Sequence, residues 1–254
     1  MPLLSPTKRQ VADWARLTQK KFRKESGLFL IEGEVCVREA LRSGLKLEAL
    51  LLLASDAEQR QDEFGELKQT PLYAVNTDAY RRISSVETSQ GVAAIARQFD
   101  LKPRLTGFAM ACEQVSDPGN CGALIRVADF FGASELILGP GSADRWNEKV
   151  VRGSMGSLFH QPLKQVESLE EVIRTWPGAS IALTAHGGKA LHKRPRLSEP
   201  LLLVLGNETR GLTPSIENSC THKLTLKPAG GAESLNLVTA AAVFAYELGL
   251  KNHD

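Results

Sequence analysis

Three short polar segments of the chain hold side chains that could bind or activate a ligand. Residues 117–122 have the composition of a tight turn, and Arg126 lies one helical turn later, where its guanidinium can reach back over that turn. Residues 206–208, Gly-Asn-Glu, follow an apolar run that places backbone groups and one carboxylate at the end of a predicted strand. Ser234 and Asn236 stand where a helical pattern begins and could contact a ligand.

Each segment also has an ordinary structural explanation. The first could be a loop that starts a helix and leaves Arg126 in solvent. Glu208 could stabilise the N-terminus of a helix, and Ser234 could be a helix N-cap. These alternatives stay open for each segment alone, so the position of the segments in the fold becomes the deciding information.

Hydrophobic patterning predicts two successive α/β regions. In the first region we predict strands at residues 28–31, 47–53, 72–75 and 92–97 and helices at residues 8–24, 34–43, 57–68 and 78–84. The polar segment 98–106, which contains Pro103, follows the last of these strands. We therefore place a domain boundary there, between a domain of residues 1–100 and one of residues 107–254.

The second region alternates again and contains all three polar segments. We predict strands at residues 108–111, 136–138, 181–184, 201–205 and 223–226, and helices at residues 122–132, 147–157, 169–176 and 235–250. Apolar strands that alternate with helices indicate a parallel sheet covered on both faces. Ligands bind at the carboxyl ends of the strands in such sheets, and each polar segment begins near that edge.

The composition of the chain and the absence of several common motifs exclude some classes of function. The 254 residues include 43% hydrophobic and 24% charged residues, with no apolar run long enough to cross a bilayer and no export leader, so we expect a cytoplasmic protein without a membrane partner. The sequence lacks G-x-G-x-x-G after the first strand, a phosphate-loop motif and H-E-x-x-H. Four scattered cysteines with no C-x-x-C pair predict structural thiols and no metal site.

Charge is distributed unevenly although the net charge is only +2. The first 24 residues contain seven Lys or Arg residues against one acid, Asp13. A second cluster contains Lys189, Lys193, Arg194 and Arg196. Basic residues on a solvated helix face are common, but two such clusters favour a nucleic-acid partner.

The three segments, in this order, resemble the signature motifs of the SpoU (TrmH-like) RNA ribose methyltransferases of the SPOUT superfamily. The resemblance covers residues 107–254. Residues 20–33 and 83–94 resemble, more loosely, the ribosomal-protein-like RNA-binding module that precedes many of these catalytic domains. The resemblance implies a knotted parallel-sheet methyltransferase domain, with a trefoil knot, after a smaller α/β RNA-binding domain.

The same resemblance implies the chemistry and the partners. Members transfer a methyl group from S-adenosyl-L-methionine to a ribose 2′-hydroxyl of RNA, and they form homodimers through the catalytic domain. The N-terminal module points to large-subunit ribosomal RNA as the substrate. The alternatives are a transfer RNA ribose methyltransferase, a base methyltransferase of the same fold, and a non-catalytic RNA-binding ribosome-assembly factor.

Matching the motifs position by position assigns the site residues. The residues implied in catalysis are Asn120, Arg126, Glu208, Ser234 and Asn236. The residues implied in cofactor binding are Thr184, Leu205, Gly206, Leu226 and Leu235. The basic residues expected to bind RNA are Lys20, Lys21, Arg23 and Lys24.

The chain departs from the family pattern in the third motif. Leu226-Lys227-Pro228 stands where the family usually has Ile-Pro-Met, and Val238 replaces a usual Ser. The family's motif Arg is often proposed as the base, yet a guanidinium with a pKa above about 12 is a poor proton acceptor. We therefore expect Arg126 to bind the adjacent phosphate and to favour the alkoxide, while the other four side chains orient it.

Overall fold

The computed structural model describes residues 2–64, 70–86, 88–105, 107–231 and 234–249. They fall into two compact units, one within residues 1–99 and 144–159, the other within residues 100–143 and 160–254. The chain therefore leaves the second unit after residue 143 and returns to it at residue 160. The functional division that we draw between residues 1–100 and 107–254 stays a prediction.

The first unit contains a four-stranded sheet with the strand order β1-β4-β2-β3. β4 pairs antiparallel with both β1 and β2, and β2 pairs parallel with β3. The strands are β1 (Leu28–Glu32), β2 (Leu47–Leu53), β3 (Leu72–Val75) and β4 (Val92–Arg97). The helices are α1 (Lys8–Ala15), α2 (Lys20–Ser26), α3 (Glu34–Arg42), α4 (Ala57–Arg60), α5 (Thr77–Ile83) and α7 (Glu148–Gly153).

Two predicted helices of this unit differ from the structure. The helix predicted at residues 8–24 is broken, because α1 is followed by a 3₁₀ turn and Gln19 is extended before α2 begins. The helix predicted at residues 57–68 is α4 followed by a 3₁₀ turn at Gln61–Phe64, and residues 65–68 lie outside the described residues. A simple apolar periodicity does not distinguish one continuous helix from two short helices in sequence.

Arg23 is buried and is not available to bind RNA, which corrects its predicted role. Its Nη2 lies 2.6 Å from Asp144 Oδ2, and its Nη1 donates to the Leu17 carbonyl oxygen at 2.8 Å. Glu148 Oε2 lies 3.7 Å from the same Nη1, and Arg23 is only 2% exposed. Lys20, Lys21 and Lys24 are exposed on α2, so the basic patch consists of these lysines without Arg23.

The segment Asp144–Phe159 is fixed to the first unit by aromatic packing as well as by Arg23. The Trp146 ring lies 4.6 Å from the Phe29 ring and 5.1 Å from the Phe99 ring, centroid to centroid. Aromatic pairs at such distances contribute beyond the area that they bury. The segment thus adds both an ion pair and an aromatic cluster to the core of the first unit.

We predict that Arg23→Ala lowers the free energy of unfolding by about 3–5 kcal/mol, because it leaves the buried carboxylate of Glu148 and the partly buried carboxylate of Asp144 without their cation. Urea denaturation would measure this change. Lys24→Ala is the matched control, since Lys24 is exposed on the same helix and its loss should change stability by less than about 0.5 kcal/mol. Equal effects of the two variants would contradict the assigned role of Arg23.

The second unit contains a seven-stranded sheet with the order β7-β6-β5-β10-β8-β11-β9, and all of its strand pairs are parallel. The predicted parallel α/β fold is confirmed. The strands are β5 (Phe108–Cys112), β6 (Leu136–Leu138), β7 (Leu163–Gln165), β8 (Ser180–Leu183), β9 (Lys189–Ala190), β10 (Leu201–Leu205) and β11 (His222–Thr225). The helices are α6 (Pro118–Phe130), α8 (Leu169–Thr175), α9 (Pro214–Ser219) and α10 (Leu237–Gly249).

Sequence patterning misses three short elements of this unit, β7, β9 and α9. They contain three, two and six residues, too few to establish a periodicity. The helix predicted at residues 122–132 begins earlier, at Pro118, because Asp117 is its N-cap. Leu250, the last residue of the predicted C-terminal helix, lies outside the described residues.

The centre of the second sheet is β10, whose five residues are all buried between β5 and β8. α10 packs against α6 and against β10. This arrangement brings the carboxyl ends of β5, β10, β8 and β11 to neighbouring positions along one edge of the sheet. The knot that the resemblance implies stays a prediction. None of the described helices is long and apolar enough to cross a membrane.

Candidate active site at the carboxyl edge of the second sheet

The first and second polar segments meet through a direct hydrogen bond. The first follows β5, the second follows β10, and these two strands are neighbours. Asn120 Nδ2 donates to Glu208 Oε1 at 3.0 Å, and Asn207 Nδ2 donates to Glu208 Oε2 at 3.2 Å. Each carboxylate oxygen of Glu208 therefore has one amide donor, which fixes the orientation of the group.

The first segment forms the first turn of α6, and Asp117 caps it. The Asp117 side chain accepts from the Asn120 backbone N–H at 2.8 Å, and Pro118 occupies the first turn of the helix. Arg126 lies on the exposed side of α6, and its side chain forms no hydrogen bond or ion pair with the described residues. The structure thus brings Asn120 to Glu208 but leaves Arg126 turned to solvent.

The loop that carries Glu208 is closed on itself. Asn207 and Gly211 exchange two backbone hydrogen bonds, of 3.0 and 2.9 Å. Asn207 Oδ1 accepts from the backbone N–H groups of Thr209 and Arg210. A Cβ atom at Gly206 would lie 2.2 Å from the Gly211 carbonyl carbon, so this closure requires glycine.

Two residues at the end of β5 hold this loop, and sequence reasoning missed both. Glu113, 7% exposed, accepts from the Thr213 backbone N–H and the Thr213 hydroxyl, each at 2.8 Å. The Gln114 carbonyl oxygen accepts from Asn207 Nδ2 at 3.0 Å, and Gln114 has a φ of 53°. A non-glycine residue in this left-handed region costs about 1–3 kcal/mol, which the surrounding contacts must offset. An acid directly after an apolar strand was the available signal.

The third segment caps the last helix. Asn236 Oδ1 accepts from the Val238 backbone N–H at 2.9 Å, and the Asn236 carbonyl accepts from the Ala240 N–H. Asn236 is therefore the N-cap of α10, the role that the sequence analysis gave as an alternative for Ser234. Ser234 is exposed.

A cavity of about 690 Å³ lies between the second and third segments. Its volume falls within the range of about 300–1,000 Å³ that is typical of ligand pockets. Four of the five predicted cofactor residues line it, namely Thr184, Gly206, Leu226 and Leu235. Leu205 does not, because its side chain is fully buried and its carbonyl accepts from the Glu113 N–H.

The predicted catalytic residues divide between the cavity and its surroundings. Glu208 and Ser234 line the cavity, whereas Asn120, Arg126 and Asn236 do not. Asn120 is connected to the cavity through its bond to Glu208. Of the predicted catalytic groups, one oriented carboxylate, that of Glu208, and one hydroxyl, that of Ser234, therefore lie on the cavity wall.

Comparison with known proteins agrees with this geometry. Residues 107–246 match the SpoU rRNA Methylase family, and residues 8–94 match the MRM3-like substrate binding domain. The first match covers more than half of the chain. The chain belongs to the SpoU rRNA Methylase family.

Several methyltransferases are similar to this SpoU chain over nearly its full length. It is 32% identical to the 23S rRNA (guanosine(2553)-2'-O)-methyltransferase RlmP of Bacillus subtilis, over 96% of this chain and 97% of that protein. An AdoMet-bound rRNA methyltransferase from Sinorhizobium meliloti superposes with a TM-score of 0.81 at 30% identity, covering 97% and 96% of the two chains. The AdoMet complex of AviRb from Streptomyces viridochromogenes gives 0.85 at 27% identity, covering 98% and 99%.

Three of the four cysteines of this SpoU chain are protonated thiols at neutral pH. Burial raises the pKa of Cys36 to about 11 and that of Cys220 to about 12. Burial also raises the pKa of Cys112, at the end of β5, and the nearby Cys121 and Glu208 raise it further. A raised pKa disfavours the thiolate, which is the form in which a thiol acts as a nucleophile. Among the described residues no cluster of three or more His, Cys, Asp or Glu could hold a metal ion.

We predict that Gly206→Ala destabilises this SpoU chain by at least about 1–3 kcal/mol, because the added methyl group forces the 206–211 loop apart. Urea denaturation would measure the change. Gly230→Ala is the control, since no described atom lies within 4 Å of a Cβ at that position. If Gly206→Ala were as stable as Gly230→Ala, the closed loop would be incorrect.

Proposed function

We propose that this chain transfers a methyl group from S-adenosyl-L-methionine to a ribose 2′-hydroxyl of RNA, and that large-subunit ribosomal RNA is the substrate. The observation that carries the proposal is the 690 Å³ cavity beside the Asn120–Glu208 hydrogen bond. The AdoMet complexes of two structural relatives and the 23S rRNA activity named for the Bacillus subtilis relative support it.

The residues of the cavity fit S-adenosyl-L-methionine. Leu183, Leu226, Leu235 and Leu237 provide apolar surface for an adenine ring. The Thr184 hydroxyl and the loop backbone at Gly206 provide polar groups for the ribose and the amino acid portion. When bound, the cofactor supplies an electrophilic methyl group on a sulfonium.

The chain must bring the acceptor hydroxyl in line with that methyl group and make its oxygen nucleophilic. Glu208, held by Asn120 and Asn207, is oriented to accept a hydrogen bond from the hydroxyl. Arg126 keeps its guanidinium free among the described residues, so it can bind a phosphate next to the acceptor ribose and favour the alkoxide. Ser234, on the cavity wall, and Asn236, at the N-cap of α10, complete the orientation of the acceptor. Alignment of two bound substrates contributes much of the acceleration.

Lys20, Lys21 and Lys24 remain the RNA-binding residues that we propose for the first unit. All three are exposed on one short helix, α2. Lysines on one exposed helix form a patch of positive charge that attracts phosphates in a salt-dependent way. The match of residues 8–94 to a substrate binding domain supports this role. The cytoplasmic location stays a prediction.

The decisive experiment supplies wild-type protein with S-adenosyl-L-methionine and, separately, unmodified large-subunit ribosomal RNA and bulk transfer RNA. Ribose methylation is mapped by the resistance of one phosphodiester to alkaline hydrolysis. We expect one protected position in the ribosomal RNA. Protection in transfer RNA alone would favour that alternative substrate, methyl incorporation on a base would contradict ribose transfer, and cofactor binding without any transfer would favour an assembly factor.

The same assay tests Arg126. Arg126→Lys keeps the charge but loses the bidentate fork, and we expect at least about a tenfold fall in kcat/KM, with about 10²-fold or more for Arg126→Ala. Arg174→Lys, at an exposed position of α8, is the control. Near-normal turnover and unchanged RNA affinity of Arg126→Lys would refute the bidentate role.

We also propose that the chain is a homodimer and that a second copy covers the exposed face of α6 and α10. Phe130 on α6 is 84% exposed, and Val243 and Tyr246, three residues apart on α10, are 37% and 57% exposed. α6 and α10 pack against each other, so their apolar residues lie on neighbouring surfaces. Arg126 precedes Phe130 by one helical turn, and a partner there would help to desolvate the proposed phosphate site.

We expect the double variant Phe130→Glu/Tyr246→Glu to sediment as a monomer, because two charges would be buried at the interface. Wild type should sediment with twice the mass of one chain. Val35→Glu, at a 47% exposed apolar position of α3, is the control and should remain dimeric. A double variant that still dimerises would place the interface elsewhere.

A further inference from the structure

The acidic residues that line the cavity have hydrogen-bond or ion-pair partners, whereas two of its basic residues have none in the part of the chain that the structure describes. Within that part, the two carboxylates of the lining are already engaged: Glu208 accepts from Asn120 and Asn207, and Glu217 lies 2.7 Å from Lys223 Nζ. Arg210 and Lys227, in contrast, show no side-chain partner among the described residues, and both are exposed. The lining of the cavity therefore carries two exposed positive charges that form no ion pair with any described residue.

These charges come from two different strand ends. Arg210 belongs to the loop after β10, and Lys227 follows β11 by two residues. His186, exposed and placed after β8, adds an imidazole to the same lining. β10, β8 and β11 are consecutive in the sheet, so the basic groups follow the carboxyl edge as a row. We call Arg210, Lys227 and His186 the basic rim.

We propose that the basic rim binds the RNA backbone, holding a phosphate of the strand that carries the acceptor ribose. This inference rests on the proposed function and adds a substrate contact to it. A 2′-hydroxyl that reaches a methyl group inside the cavity brings the two phosphates that flank its ribose to the cavity mouth. Arg126 is proposed for one of these phosphates, and the rim supplies the second contact.

A phosphate fits the rim better than the cofactor does. S-adenosyl-L-methionine carries a sulfonium and an ammonium besides its one carboxylate, so its net charge is positive and two further cations at the mouth would oppose it. An RNA strand is negative at each nucleotide, and Lys and Arg are the usual phosphate ligands.

The test compares RNA and cofactor binding in the full-length variants Lys227→Gln, Arg210→Gln and the double variant. RNA affinity for unmodified large-subunit ribosomal RNA is measured by fluorescence anisotropy over a series of salt concentrations. Each removed charge should lower the slope of log affinity against log salt by about 0.7, the value for a single-stranded contact. Lys227→Arg should restore the wild-type slope. The affinity for S-adenosyl-L-methionine, measured by calorimetry, should stay within about twofold of wild type, a difference of less than about 0.5 kcal/mol.

Lys164→Gln is the matched control, because Lys164 is exposed on β7, the strand at the opposite edge of the sheet. It removes the same charge and should leave the RNA slope unchanged. An unchanged slope in the double variant would overturn the proposal, and so would a tenfold loss of cofactor affinity, which would assign the rim to the cofactor carboxylate. If wild-type protein methylates RNA while the rim variants bind RNA normally, the rim proposal fails and the proposed function stands. If wild-type protein transfers no methyl group, the proposed function itself fails.

Discussion

The contact between Glu113 and Thr213 is the interaction on which the candidate site depends. A buried carboxylate at the end of β5 accepts two hydrogen bonds from one residue on the far side of the 206–213 loop. The neighbouring residue, Gln114, holds the near side through Asn207. The loop therefore takes its shape from residues at the end of a strand that are 93 and 100 residues away in sequence, and Glu208 is oriented because both ends of its loop are fixed. Loss of either hydrogen bond from Thr213 would leave an oxygen of the buried Glu113 carboxylate without a donor. Because an unsatisfied buried group costs free energy, these two hydrogen bonds stabilise the loop.

Much of the fold could be predicted from sequence because its strands are long apolar runs. β2, β4 and β10 have the predicted bounds, and the alternation with helices is enough to indicate a parallel sheet in the second unit. The family resemblance is confirmed for residues 107–246. The two-residue and three-residue edge strands could not be predicted, since they are held by pairing with a neighbour and show no periodicity of their own.

The site was predicted less completely, for reasons that lie in long-range contacts. Sequence patterning placed Asn120 and Glu208 near the same edge of one sheet, and the structure joins them. Patterning did not show that Asn236, one of the proposed catalytic residues, caps α10 in place of Ser234, or that Glu113, directly after an apolar strand, anchors a loop. Arg23 shows the opposite error: a cation within a basic cluster looks solvated until Asp144, 121 residues later, is seen beside it. Charge in sequence predicts attraction to a polyanion only for side chains that reach the surface.

The return of Asp144–Phe159 to the first unit makes the chain cross between the two units three times, near residues 99, 143 and 159. When two domains are joined by a single linker, either domain can be exchanged by recombination at that linker. Here a cut at residue 100 would separate the N-terminal half from Trp146 and from Asp144 and Glu148, the carboxylates beside Arg23. The other half would keep residues 144–159 as an insertion between β6 and β7 that has no unit to pack against. An engineered chimera must therefore carry residues 144–159 with its N-terminal half.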